Sequence, residues 1–372
     1  MQVLIVGGGP AGSLTAIHLA GKAEVTIVEE HPSAGFPVQC AGLISESCFK
    51  ELRKFVSNRC LLNKIKGAFV FAPNGSFLEL RGRSGAVVVE RKILDAELLR
   101  KAADDAEVRI KTRFLNCSKN KALLSGMNGK EVLSYDIIIG ADGVASTVAK
   151  ILNFPRPEIL PAIQVECMFE PLDERMVELY FGKDYSDCFF AYAVPIGDTA
   201  RIGVIAHSPQ LYFKNLVEKH PSVSSRVKGR IIELNAGAIP LKLVDFVKGN
   251  AALIGDAAGM VKPYTGGGIY YHLVAAQVLG STFPNLNEYC REYLKKMGKE
   301  YRVGEKIASL YTVLSDEDYV NLVKVGKGVE KLAHELHMDS PSSLLKIIPN
   351  LAKLLAHPRL SAKLCRTLLS RF

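Results

Sequence analysis

Residues 2–12 read Gln2-Val3-Leu4-Ile5-Val6-Gly7-Gly8-Gly9-Pro10-Ala11-Gly12. The run after Gln2 is apolar and rich in β-branched residues, which predicts a short buried strand. The glycines indicate a tight turn, and Leu14, Ile17 and His18 then follow at helical spacing. The stretch therefore predicts a strand, a turn and a helix, the opening unit of an α/β domain.

A second apolar run, residues 25–28, ends in Glu29 and Glu30, about 20 positions beyond the glycines. This spacing is typical of a dinucleotide-binding unit. Its glycines let the backbone approach a pyrophosphate at the helix N-terminus, and an acid at the end of the second strand accepts the ribose hydroxyls. We therefore expect a dinucleotide site here, with Glu29 as the acid.

Two further buried strands end in glycine-bearing turns. Residues 135–139 lead into Asp142-Gly143, and residues 251–254 lead into Gly255-Asp256. Beyond the second turn, Gly266-Gly267-Gly268 precede a helical run over 269–279. Consecutive glycines at the start of a helix cost backbone entropy, which predicts that something approaches this backbone closely.

The remaining strands favour a second sheet. Strand-like runs between residues 65 and 80 flank Asn74-Gly75, a hairpin signal, and residues 87–90 lead into Arg91 and a helix. Residues 159–206 alternate between apolar and polar, as in an antiparallel sheet with one buried face. The predicted domains are a discontinuous nucleotide-binding domain (1–60, 86–155 and 247–300), an antiparallel-sheet substrate domain (61–85 and 156–246) and a C-terminal helical region (301–372).

Composition sets outer limits. A length of 372 residues predicts two or three domains, and 48% apolar with 23% charged residues excludes a disordered, collagen-like or coiled-coil chain. No apolar run approaches the ~20 residues of a membrane span, and no basic leader with a cleavage site precedes the first strand. We therefore expect a cytoplasmic protein.

The net charge and the spacing of the cysteines limit which binding partners and metal sites the sequence predicts. The formal net charge of +9 favours anionic partners such as phosphates or acidic lipid surfaces, and no motif supports nucleic-acid binding. The eight cysteines are scattered, without the spacing of a zinc site or an iron–sulfur cluster. We expect reduced thiols and no metal.

The C-terminal tail, residues 341–372, is basic and amphipathic. It contains no acidic residue, and its basic residues alternate with leucines and isoleucines; they are Lys346, Lys353, Arg359, Lys363, Arg366 and Arg371. Two interpretations stay open: a helical pair that caps the core with a solvated face, or a segment that contacts a membrane surface.

The order of the three glycine-bearing strand ends resembles the p-hydroxybenzoate hydroxylase-like superfamily of FAD proteins. Within it, residues 37–45 (Pro-Val-Gln-Cys-Ala-Gly-Leu-Ile-Ser), 255–259 (Gly-Asp-Ala-Ala-Gly) and the run from Lys262-Pro263 through Gly266-Gly267-Gly268 to Tyr270 resemble the geranylgeranyl reductase family. The likeness covers roughly residues 1 to 300. It implies an α/β fold: a Rossmann-like FAD-binding domain with an inserted antiparallel substrate sheet and a C-terminal helical segment.

The resemblance also implies a set of cofactor-binding residues. Those expected at the pyrophosphate and ribose of FAD are Gly7, Gly9, Ala11, Gly12 and Glu29. Those expected elsewhere along the cofactor are Arg91, Asp142, Gly143 and Asp256, the last at the ribityl chain. Those expected beside the isoalloxazine ring are Cys40, Ala41, Gly42, Gly267, Gly268 and Ile269.

The expected substrate pocket contains Phe190, Tyr192 and Pro263. The family's aromatic strand pattern, Tyr-x-Trp-x-Phe-Pro, is here Phe190-Ala-Tyr-Ala-Val-Pro195, which leaves substrate size and regiochemistry open. Two further departures are Lys150 in place of an arginine and Leu94 in place of an aromatic residue.

By resemblance the activity is that of an FAD-dependent reductase that saturates isolated C=C bonds of geranylgeranyl chains in ether-lipid precursors. The hydride comes from reduced flavin, and a positioned acid supplies the proton. Cys40 is the first candidate for that acid, with Tyr264, Tyr271 and His272 as alternatives. The implied partners are a prenyl lipid, an external electron donor (NAD(P)H or a ferredoxin-like protein) and an anionic membrane surface at the inner face of the cell membrane.

Other activities are compatible with the same architecture. A flavin monooxygenase acting on an aromatic or polyene substrate is the main alternative, and a non-catalytic flavin- or lipid-binding protein is another. A flavin halogenase is disfavoured because the chain has no tryptophan. An electron-transferring-flavoprotein dehydrogenase would need cluster cysteines that the chain lacks.

Overall fold

The computed structural model describes residues 1–37, 40–327, 334–346 and 357–368. Its strands are β1 (Gln2–Val6), β2 (Glu24–Val28), β3 (Leu43–Ser45), β4 (Leu61–Phe71), β5 (Phe77–Val89), β6 (Ala106–Arg109), β7 (Arg113–Ser118), β8 (Lys121–Gly126), β9 (Gly129–Ser134), β10 (Ile137–Gly140), β11 (Ile159–Phe169), β12 (Met176–Tyr180), β13 (Ala191–Ile196), β14 (Thr199–Ile205), β15 (Val227–Pro240), β16 (Val247–Lys248) and β17 (Ala251–Leu253). Its α-helices are α1 (Pro10–Leu19), α2 (Glu46–Leu52), α3 (Arg91–Ala102), α4 (Thr147–Ile151), α5 (Pro209–Lys219), α6 (Ile269–Thr282), α7 (Leu286–Val313), α8 (Asp316–Gly326) and α9 (Pro358–Leu368).

The nucleotide-type sheet has six strands in the order β16-β17-β10-β1-β2-β6. All neighbours pair in parallel except β16 with β17. Strands β1 and β10 are buried almost throughout, as their continuous Val/Ile runs require in a sheet covered on both faces. Because β1, β10 and β17 are parallel neighbours, their carboxyl ends bring the three glycine-bearing turns to one edge.

A larger sheet has eight strands in the order β15-β11-β14-β13-β12-β4-β5-β3. Its pairs are antiparallel apart from β12 with β4, and the Asn74-Gly75 hairpin joins β4 to β5 as predicted. Strand β5 continues across the predicted domain boundary after residue 85, and β3 extends the same sheet. The fold class is confirmed, whereas the domain boundaries stay a prediction.

A third sheet, β7-β8-β9, was not foreseen. Its strands are short, and β9 is largely exposed, so apolar alternation gives little signal. The Asn128-Gly129 dipeptide between β8 and β9 is a hairpin signal that could have located it.

The C-terminal helices pack against the body of the protein. Helix α8 begins with a capping box between Ser315 and Asp318, and Leu360 and Leu364 of α9 are buried in a cluster with residues of α7 and α8. The capping interpretation of the tail therefore describes residues 357–368. The tail residues 347–356 and 369–372, with Lys353 and Arg371, lie outside the described residues. Among those described, no helix is both long and apolar enough to cross a membrane.

A buried cluster of polar side chains packs against one face of the eight-stranded sheet. On β12, Val177 and Leu179 face one side, while Glu178 faces the other and accepts two hydrogen bonds from Arg226, at 2.8 and 2.6 Å. The ring of His220 packs edge-on against Tyr180 beside this pair. Burial, followed by the Arg226 charge, lowers the pKa of His220 to about 4.

His220 should therefore make stability depend on pH. In the unfolded chain its pKa is close to 6.5, so between pH 6.5 and 4 the unfolded state binds more protons than the folded state. The free energy of unfolding should fall as the pH drops through this window, by roughly 2–3 kcal/mol from this residue. Urea unfolding of His220→Gln should show a flatter pH slope than wild type, and His334→Gln, at an exposed histidine, should keep the wild-type slope. An unchanged slope in His220→Gln would contradict the assignment.

Candidate active site

One continuous cavity of about 1040 Å³ lies between the turns of the six-stranded sheet and one face of the eight-stranded sheet. The sequence-predicted residues that line it are Gly7, Gly9, Ala11, Glu29, Cys40, Ala41, Arg91, Asp142, Gly143, Phe190, Tyr192, Asp256, Gly267, Gly268 and Ile269. Three predicted residues are not part of its wall: Gly12, Gly42 and Pro263. The fold thus brings positions from widely separated parts of the chain to one surface.

The turn after β1 is closed by glycines. A Cβ at Gly7 (φ +105°) would overlap the carbonyl of Ala141, and a Cβ at Gly12 would overlap the carbonyl of Gly7. At Gly9 a Cβ would meet nothing within 4 Å. Gly7 and Gly12 therefore serve the packing of the turn, while Gly9 and the free amides at the start of α1 face the cavity.

Glu29 holds this turn from the side. Its carboxylate accepts the amides of Gly8 and His31, both at 2.8 Å, and Nδ1 of His31 lies 2.8 Å from the same carboxylate. A carboxylate has about four acceptor positions, so Glu29 keeps capacity for a ligand hydroxyl. His31 also lines the cavity, a contact that the sequence did not indicate.

Arg91 and Cys40 lie close together on the cavity wall. The guanidinium of Arg91 donates two hydrogen bonds to Asp95, at 2.8 and 2.7 Å. Burial acts to lower the pKa of Arg91, but Asp95 and the adjacent Cys40 thiol outweigh it and the pKa is raised. Arg91 thus stays a cation in a fixed orientation beside Cys40.

The Cys40-Ala41-Gly42 loop is held by Arg201, a buried residue that sequence reasoning missed. Its guanidinium donates to the carbonyls of Ala41 (3.2 Å) and Val89 (3.3 Å) and to the carboxylate of Glu90 (2.8 Å). Gly42 (φ +77°) has no room for a Cβ, which would overlap the carbonyl of Val89. Gly42 therefore fixes the loop against β5 rather than lining the cavity.

The two predicted aspartates differ in role. Asp142 is used within the protein: its carboxylate accepts from Ser146 Oγ (2.6 Å), Thr147 N (2.7 Å) and Val148 N (3.1 Å) at the start of α4, and burial raises its pKa. Asp256 is partly exposed to the cavity and lies 3.1 Å from Nε2 of His272. Asp142 shapes its turn, whereas Asp256 is available to a ligand.

Contacts within the chain already account for the three consecutive glycines. A Cβ would lie 2.7 Å from Ile239 at Gly266, 2.8 Å from Lys262 at Gly267 and 2.5 Å from His272 at Gly268. The sequence predicts only that something approaches this backbone closely. The structure shows that neighbouring side chains require the glycines, while the same residues still line the cavity.

A buried ion pair joins the glycine loop to the C-terminal segment. Lys262 Nζ lies 3.0 Å from Asp339 Oδ1, both residues are buried, and Ser45 donates to the same carboxylate. Tyr264 adds a hydrogen bond from its hydroxyl to the carbonyl of Met338 (2.8 Å), and Met338 lines the cavity. Nothing in the local sequence marks Asp339 as a partner of a lysine 77 positions away.

The part of the cavity along the eight-stranded sheet is mainly apolar, with Gln164 and Asn235 among its polar lining residues. Its wall combines side chains from β11, β12, β13 and β14 with aromatic residues, including Phe181, Phe190, Tyr192 and Tyr311. Tyr192 donates its hydroxyl to Gln164 at 2.9 Å. The predicted pocket residue Pro263 lies instead against α7, where a Cβ at Gly304 would be 2.9 Å from its ring. Its place in the substrate pocket is therefore corrected.

Known proteins show where this architecture belongs. The lycopene cyclase protein family matches residues 2–303. Digeranylgeranylglycerophospholipid reductase of Methanococcus vannielii is 30% identical over 320 residues, which cover 79% of this chain and 80% of that protein. The chain is a geranylgeranyl reductase-like member of the lycopene cyclase protein family. The resemblance found in the sequence is thus confirmed, as is the class of an oxidoreductase of the geranylgeranyl reductase type.

Two further matches extend over nearly the whole chain. An uncharacterized protein of Methanocaldococcus jannaschii is 30% identical over 376 residues, covering 94% of this geranylgeranyl reductase-like chain and 95% of its own length. The crystal structure of a geranylgeranyl bacteriochlorophyll reductase-like protein from Thermoplasma acidophilum superposes with a TM-score of 0.82 at 23% identity, covering 96% of this chain and 98% of that one. The second match shows that the fold is shared over nearly the whole length of both chains.

The Lys262–Asp339 pair should decide whether the C-terminal segment stays docked. In Asp339→Asn the buried ammonium loses its carboxylate, a change that typically costs about 3–5 kcal/mol. Hydrogen–deuterium exchange should show faster exchange of the amides of residues 334–346 in this variant. Glu335→Gln, an exposed position in the same segment, serves as the control and should exchange as wild type does. Equal protection in Asp339→Asn and wild type would show that the pair does not anchor the segment.

Proposed function

We propose that this chain is an FAD-dependent reductase that saturates isolated C=C bonds of geranylgeranyl chains in ether-lipid precursors. The observation that carries the proposal is one continuous cavity that is polar at the glycine turns and mainly apolar along the sheet. A charged, elongated cofactor suits the first part, and a hydrocarbon chain suits the second. The similarity to digeranylgeranylglycerophospholipid reductase supports this assignment.

The residues present fit FAD. Gly9 and Gly143 leave open space where a side chain would otherwise project, and both border the cavity. The first-turn amides of α1 and α6 lack intrahelical acceptors, so two helix N-termini face the cavity as sites for negative charge. The cavity volume of about 1040 Å³ is slightly larger than the ~300–1,000 Å³ typical of small-molecule pockets.

In this proposal the pyrophosphate is held by Gly7, Gly9 and Ala11, with Gly12 closing the turn. Glu29 binds the ribose hydroxyls, Asp256 the ribityl chain, and Arg91 a further part of the cofactor. The loop residues Cys40 and Ala41 and the glycine-loop residues Gly267, Gly268 and Ile269 border the isoalloxazine ring, while Gly42 fixes the Cys40 loop against β5. When bound and reduced, FAD supplies the hydride.

The apolar part of the cavity holds the prenyl chain and excludes water from it. Val177 and Leu179 face it from β12, Phe190 faces it from just before β13, and Tyr311 contributes a ring from α7. Their side chains offer surface to hydrocarbon and exclude water, which would otherwise compete for the reacting carbon atoms.

Cys40 is the proposed proton donor. It lines the cavity, its Sγ accepts the amide of Gly42 at 3.3 Å, and it adjoins Arg91. Tyr264 uses its hydroxyl proton for the carbonyl of Met338, and Tyr271 is fully buried and forms no part of the cavity wall. His272 does line the cavity and lies beside Asp256, so it is the alternative that the geometry keeps.

Gly9→Ala tests the cofactor site without disturbing the fold. The backbone at Gly9 (φ −66°) accepts an alanine, and the added methyl group meets no protein atom within 4 Å. We expect an unchanged free energy of unfolding for the apoprotein and at least tenfold weaker FAD binding, measured by flavin fluorescence quenching. In Gly12→Ala, by contrast, the turn itself should be destabilised because the methyl group overlaps the carbonyl of Gly7. FAD affinity equal to wild type in Gly9→Ala would remove the cofactor from this turn.

An anaerobic turnover assay tests the reaction. FAD-loaded protein is reduced with dithionite, so the assay does not depend on the natural electron donor. A geranylgeranyl glycerolipid is then added in detergent. We expect the flavin to reoxidise and the lipid to gain two hydrogen atoms per saturated bond by mass spectrometry. Cys40→Ala should retain FAD and lose roughly 100-fold or more of the rate, as for removal of a general acid. Cys48→Ala, at a buried cysteine that does not border the cavity, should retain the rate.

Two outcomes would overturn the proposal. An unchanged lipid with flavin that stays reduced, after FAD loading is verified, would exclude prenyl reduction. Substrate-stimulated oxygen uptake with NADPH and a hydroxylated product would identify a monooxygenase instead. Full activity in Cys40→Ala with loss of activity in His272→Gln would identify His272, and not Cys40, as the proton donor.

A further inference from the structure

Three side chains of metal-binding types converge at the open end of the β13–β14 hairpin. They are Asp187, Cys188 and His207, and one ligand atom of each lies within 4.8 Å of the other two. Nδ1 of His207 is 2.7 Å from Oδ2 of Asp187, and the amide of His207 donates to the second oxygen of that carboxylate at 3.2 Å. We call these three residues the Asp-Cys-His cluster. In the parts of the chain that the structure describes, no other three such side chains come this close together.

The strand register explains why these residues meet. Strands β13 and β14 pair in antiparallel fashion, with Ala191 opposite Val204. Continued three positions beyond the strand ends, the same register places Cys188 opposite His207. Facing positions of an antiparallel pair hold their Cβ atoms about 4.5–5.5 Å apart, a separation that two ligands of one metal ion can span. The sequence predicts no metal, because spacing along the chain does not show which positions the hairpin brings together.

The ligand types of the Asp-Cys-His cluster suit zinc. A thiolate and an imidazole favour Zn²⁺ over Mg²⁺ and Ca²⁺, which prefer oxygen ligands. Around a tetrahedral zinc ion the ring nitrogen and the carboxylate oxygen would lie about 3.3 Å apart, so their present contact would open by about half an ångström. The side chain of His207 is 65% exposed, which leaves it free to make this small movement and leaves the cluster open to an ion from solvent.

The charges at the cluster are compatible with a bound cation. Burial opposes ionisation of Asp187, but the hydrogen bond from His207 and the Cys188 thiol outweigh it and lower the pKa of this carboxyl. Burial, followed by Asp187, raises the pKa of Cys188 to about 12, so zinc binding must release the thiol proton to solvent. One thiolate and one carboxylate then neutralise the charge of Zn²⁺. The ammonium of Lys183, held 2.7 Å from the carbonyl of Tyr311, is therefore next to a neutral centre.

The cluster is joined to the aromatic part of the cavity wall. Cys188 packs with Phe189 and Phe190, whose rings stack with their centroids 4.8 Å apart, and Phe190 lines the cavity. Ile205, two positions before His207, lines the cavity as well. An ion at the cluster would therefore hold the segment before β13 against the segment after β14, and with them two side chains of the cavity wall.

We propose that Asp187, Cys188 and His207 form a zinc site that joins the two ends of the β13–β14 hairpin next to the cavity wall. The carboxylate, the thiolate and Nδ1 of the imidazole bind the ion, and a water molecule completes its coordination. The ion has a structural role and takes no part in the proposed reduction. The site thus stands independently of the proposed function.

Zinc titration of the full chain tests the site. Protein treated with a chelator is titrated with Zn²⁺ in a calorimeter, and wild type should bind a single ion per chain. Cys188→Ser and His207→Gln should each bind zinc at least tenfold more weakly. Cys365→Ser and His334→Gln, at an exposed cysteine and an exposed histidine outside the cluster, should bind as wild type does. Mg²⁺ should give no binding signal.

Two further measurements identify the ligands and control for folding. Co²⁺ should give wild type a near-ultraviolet thiolate-to-metal charge-transfer band that Cys188→Ser lacks. Zinc should raise the melting temperature of wild type but not of Cys188→Ser, while the metal-free forms of both should unfold at similar temperatures.

Three outcomes would overturn the zinc site. They are the absence of zinc binding by wild type, wild-type zinc affinity in Cys188→Ser or His207→Gln, and loss of zinc binding in Cys365→Ser alone. Zinc binding that follows the expected pattern in a chain that does not reduce lipid would overturn the proposed function and leave the zinc site intact.

Discussion

Three backbone turns meet in direct contact, and the rest of the site depends on that contact. Gly7 lies against the carbonyl of Ala141, and a Cβ at Gly255 would be 2.6 Å from the Cβ of Ala11. The ends of β1, β10 and β17 can approach this closely only because no side chain stands between them. Parallel pairing places the strand ends at one edge of the sheet. Because the turns there contain glycines, their backbone amides form the floor of the cavity. Ligand charge at this edge is met by backbone dipoles rather than by a row of lysines.

Around this floor, buried ion pairs fix loops that have little secondary structure. Arg201 ties the Cys40 loop to β5, and Lys262 ties the glycine loop to Asp339. Such pairs add little net stability compared with apolar packing, because removing both charges from water costs nearly as much as their attraction returns. Their directional hydrogen bonds instead favour one arrangement of each loop. That specificity matters here, because the cavity wall is built from loops that must meet across two sheets.

The sequence predicted those features of the fold and site that depend on residues close together in the chain. The glycines and Glu29 follow each other within one strand-turn-helix-strand unit, so spacing alone identified the turn, and the Asn74-Gly75 hairpin likewise needed only neighbouring residues. Contacts between distant positions escaped: Arg201 meets Ala41 across 160 positions, and Asp339 meets Lys262 across 77. Pro263 was misplaced because adjacency to the glycine loop in sequence does not fix the side on which a ring packs. The cause of Gly266-Gly267-Gly268 also needed coordinates, because the crowding side chains of Ile239 and His272 come from a distant strand and from a helix turn.

The charge balance at the glycine loop has a consequence for ligand choice. Lys262 is close to Gly267, but its ammonium is already paired with Asp339, so the pair as a whole carries no net charge. The N-terminus of α6 adds positive potential at this end of the cavity, because its first amides have no acceptor within the helix. A dipole of this kind acts over about one turn, so it favours negative charge placed directly against Gly268 and Ile269 and not elsewhere along the wall. The loop therefore determines the position at which negative charge is stabilised more than the amount of charge that a ligand can carry. A site needs this property when charge appears on a bound group only during the reaction.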